Sequence, residues 1–124
     1  MDNIQEEWKQ VEDEFDTIKK KSHKFNYIPN EVRDIHGFKE LSEDKKDLVL
    51  LISFYLNKYN ENTNFKIRYY NIILNSVESL LRLYDTGSSQ NGYTFNENKK
   101  GFLFKFIDYL KISGIYKGST KWKK

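Results

Sequence analysis

Apolar and aromatic side chains fill twelve of the twenty positions in the stretch 65–84. The polar residues of this stretch recur at helical spacing, so they would form one narrow stripe along a helix. A helix with this pattern must be covered on most sides by other parts of the chain. We therefore predict that residues 63–84 form a central helix of the fold. The polar stripe consists of Arg68, Asn71, Asn75, Ser79 and Arg82.

A second segment, residues 43–59, is almost as apolar as the first and has only a thin polar strip. Ser42 is a suitable N-cap for a helix here, because its hydroxyl can accept a hydrogen bond from the first turn. The connection 60–64 is too short for anything but a tight reversal. The two apolar helices are therefore predicted to pack antiparallel as a helical hairpin.

The beginning of the chain carries apolar side chains at spacings of four, three, four and three residues. This pattern predicts an amphipathic helix over residues 2–21, with an apolar seam of coiled-coil spacing. The seam is short for an independent coiled coil, so docking on the chain's own core is favoured over dimerisation. A dimer through the 4–18 seam is the alternative. The seam residues are Ile4, Trp8, Val11, Phe15 and Ile18.

Two further helices are predicted outside these segments. Pro29 disfavours helix in the residue before it, and a short helix over residues 31–36 follows, with Gly37 at its end. The last helix is predicted over residues 97–112. The alternation of Phe102, Phe104 and Phe106 would also fit a strand, but the length of the segment favours a helix.

The composition is that of a helical protein, with one proline and six glycines in 124 residues. We predict an all-α fold, a compact bundle of the four main helices and the short one. Residues 1–118 would form this single domain, and residues 119–124 a basic tail. A small C-terminal hairpin that pairs residues 92–95 with residues 114–118 is an additional expectation.

The charge is distributed unevenly. Residues 1–98 hold 13 Lys and Arg against 17 Asp and Glu, whereas residues 99–124 hold eight Lys against one acid, Asp108. Lysines can neutralise phosphates while aromatic rings stack on unpaired bases, a combination suited to single-stranded nucleic acid. Lysines that only keep the protein in solution are the alternative. The predicted nucleic-acid-binding residues are Lys99, Lys100, Lys105, Lys111, Lys117, Lys121, Trp122, Lys123, Lys124, Arg68 and Arg82.

Residues suited to catalysis or metal binding are few. The chain has no cysteine, which excludes a disulfide, a thiolate metal site and a thiol nucleophile. His23 and His36 have no ligand-spaced partner, and His36 beside Arg33 and Asp34 is interpreted as a solvated helix end. Neither a nucleophile elbow nor a phosphate-binding loop is present in the sequence. We therefore predict a protein without catalytic activity, cofactor or metal.

Aromatic residues are more numerous than a small core is expected to hide, with nine Phe, nine Tyr and two Trp. Tyrosine and tryptophan are favoured anchors of protein interfaces. Tyr69, Tyr70, Tyr93 and Tyr116 are therefore predicted to contact a protein partner. The alternative is that they are ordinary boundary residues with their hydroxyls in water.

These observations predict a non-enzymatic small helical binding protein, a subunit or regulator associated with a nucleoprotein complex through its basic C-terminal region. Contact with RNA or single-stranded DNA is expected. The alternative is an inhibitor or immunity protein of the phage or mobile-element type, which blocks a protein partner through exposed aromatics. The acidic N-terminus lacks an apolar core, and the apolar runs are too short to span a membrane, which predicts a cytoplasmic protein.

Overall fold

The computed structural model describes the backbone of residues 2–61, 64–87 and 101–115, and the side chains of residues 5–61, 64–83 and 101–115. Every regular element in these ranges is helical, which confirms the predicted all-α class. The elements are α1 (Asp2–Lys19), a 3₁₀ turn (Lys24–Tyr27), α2 (Asn30–Arg33), α3 (Glu43–Glu61), α4 (Lys66–Gly87) and α5 (Phe102–Ile112).

The helices α3 and α4 form the predicted hairpin. The backbone N–H of Lys45 donates to the Ser42 hydroxyl at 3.4 Å, so Ser42 caps α3 as predicted. Facing positions of the two helices are fully buried, because each helix covers the apolar side of the other. The buried side chains include Val49, Ile52 and Leu56 of α3 and Tyr69, Ile73, Val77 and Leu80 of α4.

The helix α1 docks on this hairpin through its apolar seam. Val11, Phe15 and Ile18 are buried, and the Trp8 ring stacks at 5.6 Å from the ring of Tyr69. An ion pair of 2.9 Å between Lys58 and Glu14 ties α3 to α1. The docked arrangement is the observed one. A dimer through the same seam would have to remove these three side chains from the core.

The connection between α1 and α3 is held by its own hydrogen bonds. The Nε atom of Arg33 donates to the Ile28 carbonyl at 2.8 Å, and its guanidinium also donates to Oδ1 of Asn30. Ile28 and Val32 are fully buried beneath this loop. The predicted short helix over 31–36 is thus shorter than expected, because the backbone turns away after Arg33 towards Gly37.

Gly37 brings the connection against the start of α5. Its backbone has a positive φ of 97°, which glycine adopts without a steric penalty. A Cβ atom at this position would lie 3.4 Å from the Cβ of Phe102. The rings of Phe38 and Phe102 meet at 5.8 Å next to it. A larger residue at position 37 would therefore be strained in φ, while its Cβ would meet Phe102 at ordinary van der Waals distance.

The end of α5 is a Schellman motif, in which a glycine with positive φ closes the helix. Gly114 has a φ of 85°, and its N–H donates to the Lys111 carbonyl at 3.0 Å. The N–H of Ile115 donates to the Leu110 carbonyl at 3.1 Å, and the Ile115 side chain is fully buried. Residues 114 and 115 thus terminate α5. The other half of the expected hairpin, residues 92–95, lies outside the described ranges, as do residues 97–100 of the last predicted helix.

Candidate binding groove

An open groove lies where three helix ends meet. Tyr59 at the end of α3, Lys66, Ile67 and Tyr70 at the start of α4, and Gly114 after α5 line it. Its volume of about 300 Å³ is at the lower limit of ligand pockets, so it offers room for a side chain rather than for a large cofactor. The rings of Tyr59 and Tyr70 form one wall, with 6.2 Å between their centres.

Lys66 places a positive charge in this groove. Its amine donates to the Tyr59 carbonyl at 2.6 Å and lies 3.9 Å from the centre of the Tyr59 ring. The carbonyl belongs to the last turn of α3, where a cation is favoured by the helix dipole. An ammonium group has three donors, so the bond to Tyr59 leaves it able to bind an anion as well.

Two large aliphatic side chains, one in the groove lining and one close to the lining in the chain, are exposed to solvent. Ile67, which lines the groove, is 78% exposed, and Ile112, two residues before Gly114, is 81% exposed. Phe104, two turns before Ile112 on α5, is 50% exposed. We call the groove residues together with Lys111 and Ile112 the end surface. Exposed apolar side chains at a cavity, such as Ile67, are typical of interaction sites.

The predicted nucleic-acid-binding residues that the structure describes do not form one site. Lys105 and Lys111 are exposed on α5, but Asp108 is exposed between them at helical spacing. Arg68 lies towards α1, with its guanidinium carbon 4.9 Å from the centre of the Trp8 ring. Arg82 donates to the Ser79 hydroxyl at 3.2 Å. The other predicted residues, which lie outside the described ranges, are Lys99, Lys100, Lys117, Lys121, Trp122, Lys123 and Lys124.

Of the four tyrosines predicted to bind a protein, Tyr70 lines the groove, whereas Tyr93 and Tyr116 lie outside the described ranges. The expectation that Tyr69 is left at the surface is wrong, because this residue is fully buried. It is rotated about 100° from Tyr70 around α4 and therefore points into the cluster formed with α1 and α3.

The aromatic cluster around Tyr69 contains one buried hydroxyl group, and α3 carries another at Ser53. Within the described part of the chain, neither the Tyr69 hydroxyl nor the Ser53 hydroxyl has a hydrogen-bond partner. Burial also raises the pKa of Tyr69, and it raises the pKa of neighbouring Tyr55 to about 12, with a smaller contribution from Glu12. Both phenols therefore stay neutral at physiological pH. This cluster belongs to the core and does not open into the groove.

Five residues of the end surface were not predicted as site residues: Tyr59, Lys66, Ile67, Ile112 and Gly114. A signal for Ile67 exists in the sequence, since it stands in one helical row with Asn71 and Asn75 of the polar stripe. An isoleucine in an otherwise polar row is exposed unless another element covers it. Ile112 shows the same pattern, because it falls one turn after Asp108.

The cluster of His36, Arg33 and Asp34 shows no arrangement for acid–base chemistry in the structure. His36 and Asp34 are exposed, while the Arg33 guanidinium is turned to the backbone of the loop. Across the described ranges, no group of three or more histidine or carboxylate side chains is placed to hold a metal ion.

Comparison with protein-family models, curated proteins and solved structures found no match for this chain. The candidate site therefore stands on its own geometry. Among the helices described here, none combines the length and the apolar character needed to cross a lipid bilayer.

Proposed function

We propose that this protein is a non-enzymatic helical binding protein that holds a protein partner on the end surface. The observation that supports the proposal is the exposure of Ile67 in a groove walled by two tyrosines, with exposed Ile112 two residues before Gly114 of the same groove. Removing such aliphatic side chains from water is favourable, and tyrosines are frequent interface anchors. The partner is a component of a nucleoprotein complex or a protein that this chain inhibits.

The first test is retention of the partner by affinity capture from the native host, with and without nuclease. Changing Ile67 and Ile112 together to Ser is expected to reduce the retained partner by about tenfold or more, since loss of interface anchors costs about 2 kcal/mol or more. Changing Tyr27 to Ser is the matched control, because Tyr27 is 47% exposed but belongs to the turn before α2. Equal retention by the double variant would contradict the proposal.

Contact with single-stranded nucleic acid is the second candidate function, and the charge of residues 99–124 supports it. A chain truncated after Gly118 loses the three lysines Lys121, Lys123 and Lys124. Each lysine that contacts a phosphate contributes about 0.7 to the slope of affinity against salt on logarithmic axes. Titration with a single-stranded oligothymidine at increasing salt should therefore show weaker binding and a shallower slope for the truncated chain. Unchanged affinity and slope would exclude a role for this tail.

A further inference from the structure

We propose that the segment that binds the groove is acidic, with one large apolar side chain flanked by carboxylates. This inference rests on the proposed function and specifies the chemistry of the partner. Lys66 is the charged residue that lines the groove in the described part of the chain, and the lining there includes no carboxylate. Lys111 is exposed directly beside Ile112. The end surface thus combines apolar contacts with two cations.

Neither of the acids nearest in the chain lies in the groove beside Lys66. Glu61, at the end of α3, accepts a hydrogen bond of 3.3 Å from the Asn57 amide. Asp108 is exposed one turn before Lys111 and offsets part of its charge, so the inference depends chiefly on Lys66. Neither carboxylate lines the groove. An incoming carboxylate would therefore meet Lys66, whose position is fixed by the Tyr59 carbonyl.

A second copy of this chain fits the end surface less well. Most homodimers use a two-fold axis, so each copy would present the same patch to the other. Both copies would then bring Lys66 and Lys111 to the same interface without a groove-lining carboxylate among the described residues, and the juxtaposition of like charges at an interface is unfavourable. The carboxylates of an acidic partner remove this repulsion.

Nucleic acid also fits the groove less well than an acidic protein segment. Base stacking needs the open face of an aromatic ring. The Lys66 amine covers one face of the Tyr59 ring at 3.9 Å, and the Tyr70 ring is close to Tyr59. Ile67 and Ile112 offer aliphatic surface, which contributes nothing to phosphate binding. The volume of about 300 Å³ instead suits an apolar side chain such as leucine or phenylalanine.

The experiment uses the isotope-labelled full chain and three probes: an amphipathic peptide with a tryptophan and flanking glutamates, the same peptide with lysines for glutamates, and a single-stranded oligothymidine. The acidic peptide is expected to shift the amide resonances of Ile67, Tyr70 and Gly114 saturably. The basic peptide and the oligothymidine should leave them unchanged. Lys66→Met, which keeps the aliphatic stem, should weaken the binding of the acidic peptide at least fivefold.

Lys111→Met is the second variant, because Lys111 is exposed and its side chain takes no part in capping α3. This variant should also weaken the binding of the acidic peptide, by twofold or more, and should leave the helical circular dichroism signal unchanged. Equal binding of both peptides, or shifts of the same amides by oligothymidine, would overturn the inference. A concentration-dependent dimer abolished by Ile112→Ser would overturn it in favour of a second copy. If neither peptide binds but the variant with Ile67 and Ile112 changed to Ser still loses its partner, the inference of an acidic segment is wrong and the proposed function stands.

Discussion

Replacing Phe106 by alanine is expected to lower the free energy of unfolding by about 3–5 kcal/mol. The Phe106 side chain is fully buried on the core face of α5, with Leu103 and Leu110 buried on the same face. Its ring stacks on the ring of Phe102 at 5.3 Å. Alanine would leave a cavity that the surrounding rigid rings cannot close. Urea unfolding followed by circular dichroism measures the loss.

Phe104→Ala is the matched control, since it removes the same side chain from the same helix. Phe104 is 50% exposed, so its replacement is expected to cost about 1 kcal/mol or less. Comparison of the two variants also distinguishes a helix from a strand in this segment. In a strand, Phe104 and Phe106 would share one face, and the two variants would lose similar stability. Similar losses would contradict the helix over Phe102–Ile112.

Replacing Tyr69 by phenylalanine is expected to raise the free energy of unfolding by about 1 kcal/mol or more, because a buried polar group without a partner costs about 1–3 kcal/mol. The Tyr69 hydroxyl is such a group. Phenylalanine keeps the ring and its contacts with Trp8 at 5.6 Å and Tyr55 at 5.8 Å. The gain should be seen as a higher urea midpoint with an unchanged slope.

Tyr55→Phe is the control for this prediction. Tyr55 belongs to the same aromatic cluster, but its hydroxyl is not among the buried groups that lack a partner. Its replacement is therefore expected to leave stability unchanged or to lower it. A loss of stability in Tyr69→Phe of the size seen in Tyr55→Phe would show that the Tyr69 hydroxyl is paired in solution.

Much of the fold follows from the apolar pattern of the sequence. The helices α3 and α4 are apolar on most sides, so each must cover the other, and Ser42 and Gly114 mark helix ends by local chemistry. The bounds of α2 were harder to predict from the sequence. Arg33 bonds to the Ile28 carbonyl and to Oδ1 of Asn30 in this segment, and a sequence pattern does not reveal such bonds.

The end surface could be predicted only in part. Tyr70 was expected at the surface, but the groove forms where the end of α5 meets the start of α4, and contacts between distant segments leave no local pattern. Tyr69 was misplaced because neighbouring residues of a helix point in different directions, and the sequence alone did not establish which side of α4 receives α1. The helical row that Ile67 shares with Asn71 suggests that Ile67 is exposed. Whether it is exposed in the fold depends on which element lies beside it.

Because Gly37 lies against the first residue of α5, the last helix can make this contact only when the connection between α1 and α3 is in place. The α3 and α4 pair closes a short loop and can form early, whereas contact between Gly37 and Phe102 must bring distant parts of the chain together. During synthesis on the ribosome, the N-terminal helices emerge first and must wait for α5. Until then, the core surface that Phe106 and Leu110 cover is exposed to solvent. We expect the nascent chain to be most sensitive to proteases, and most readily bound by chaperones, at this stage.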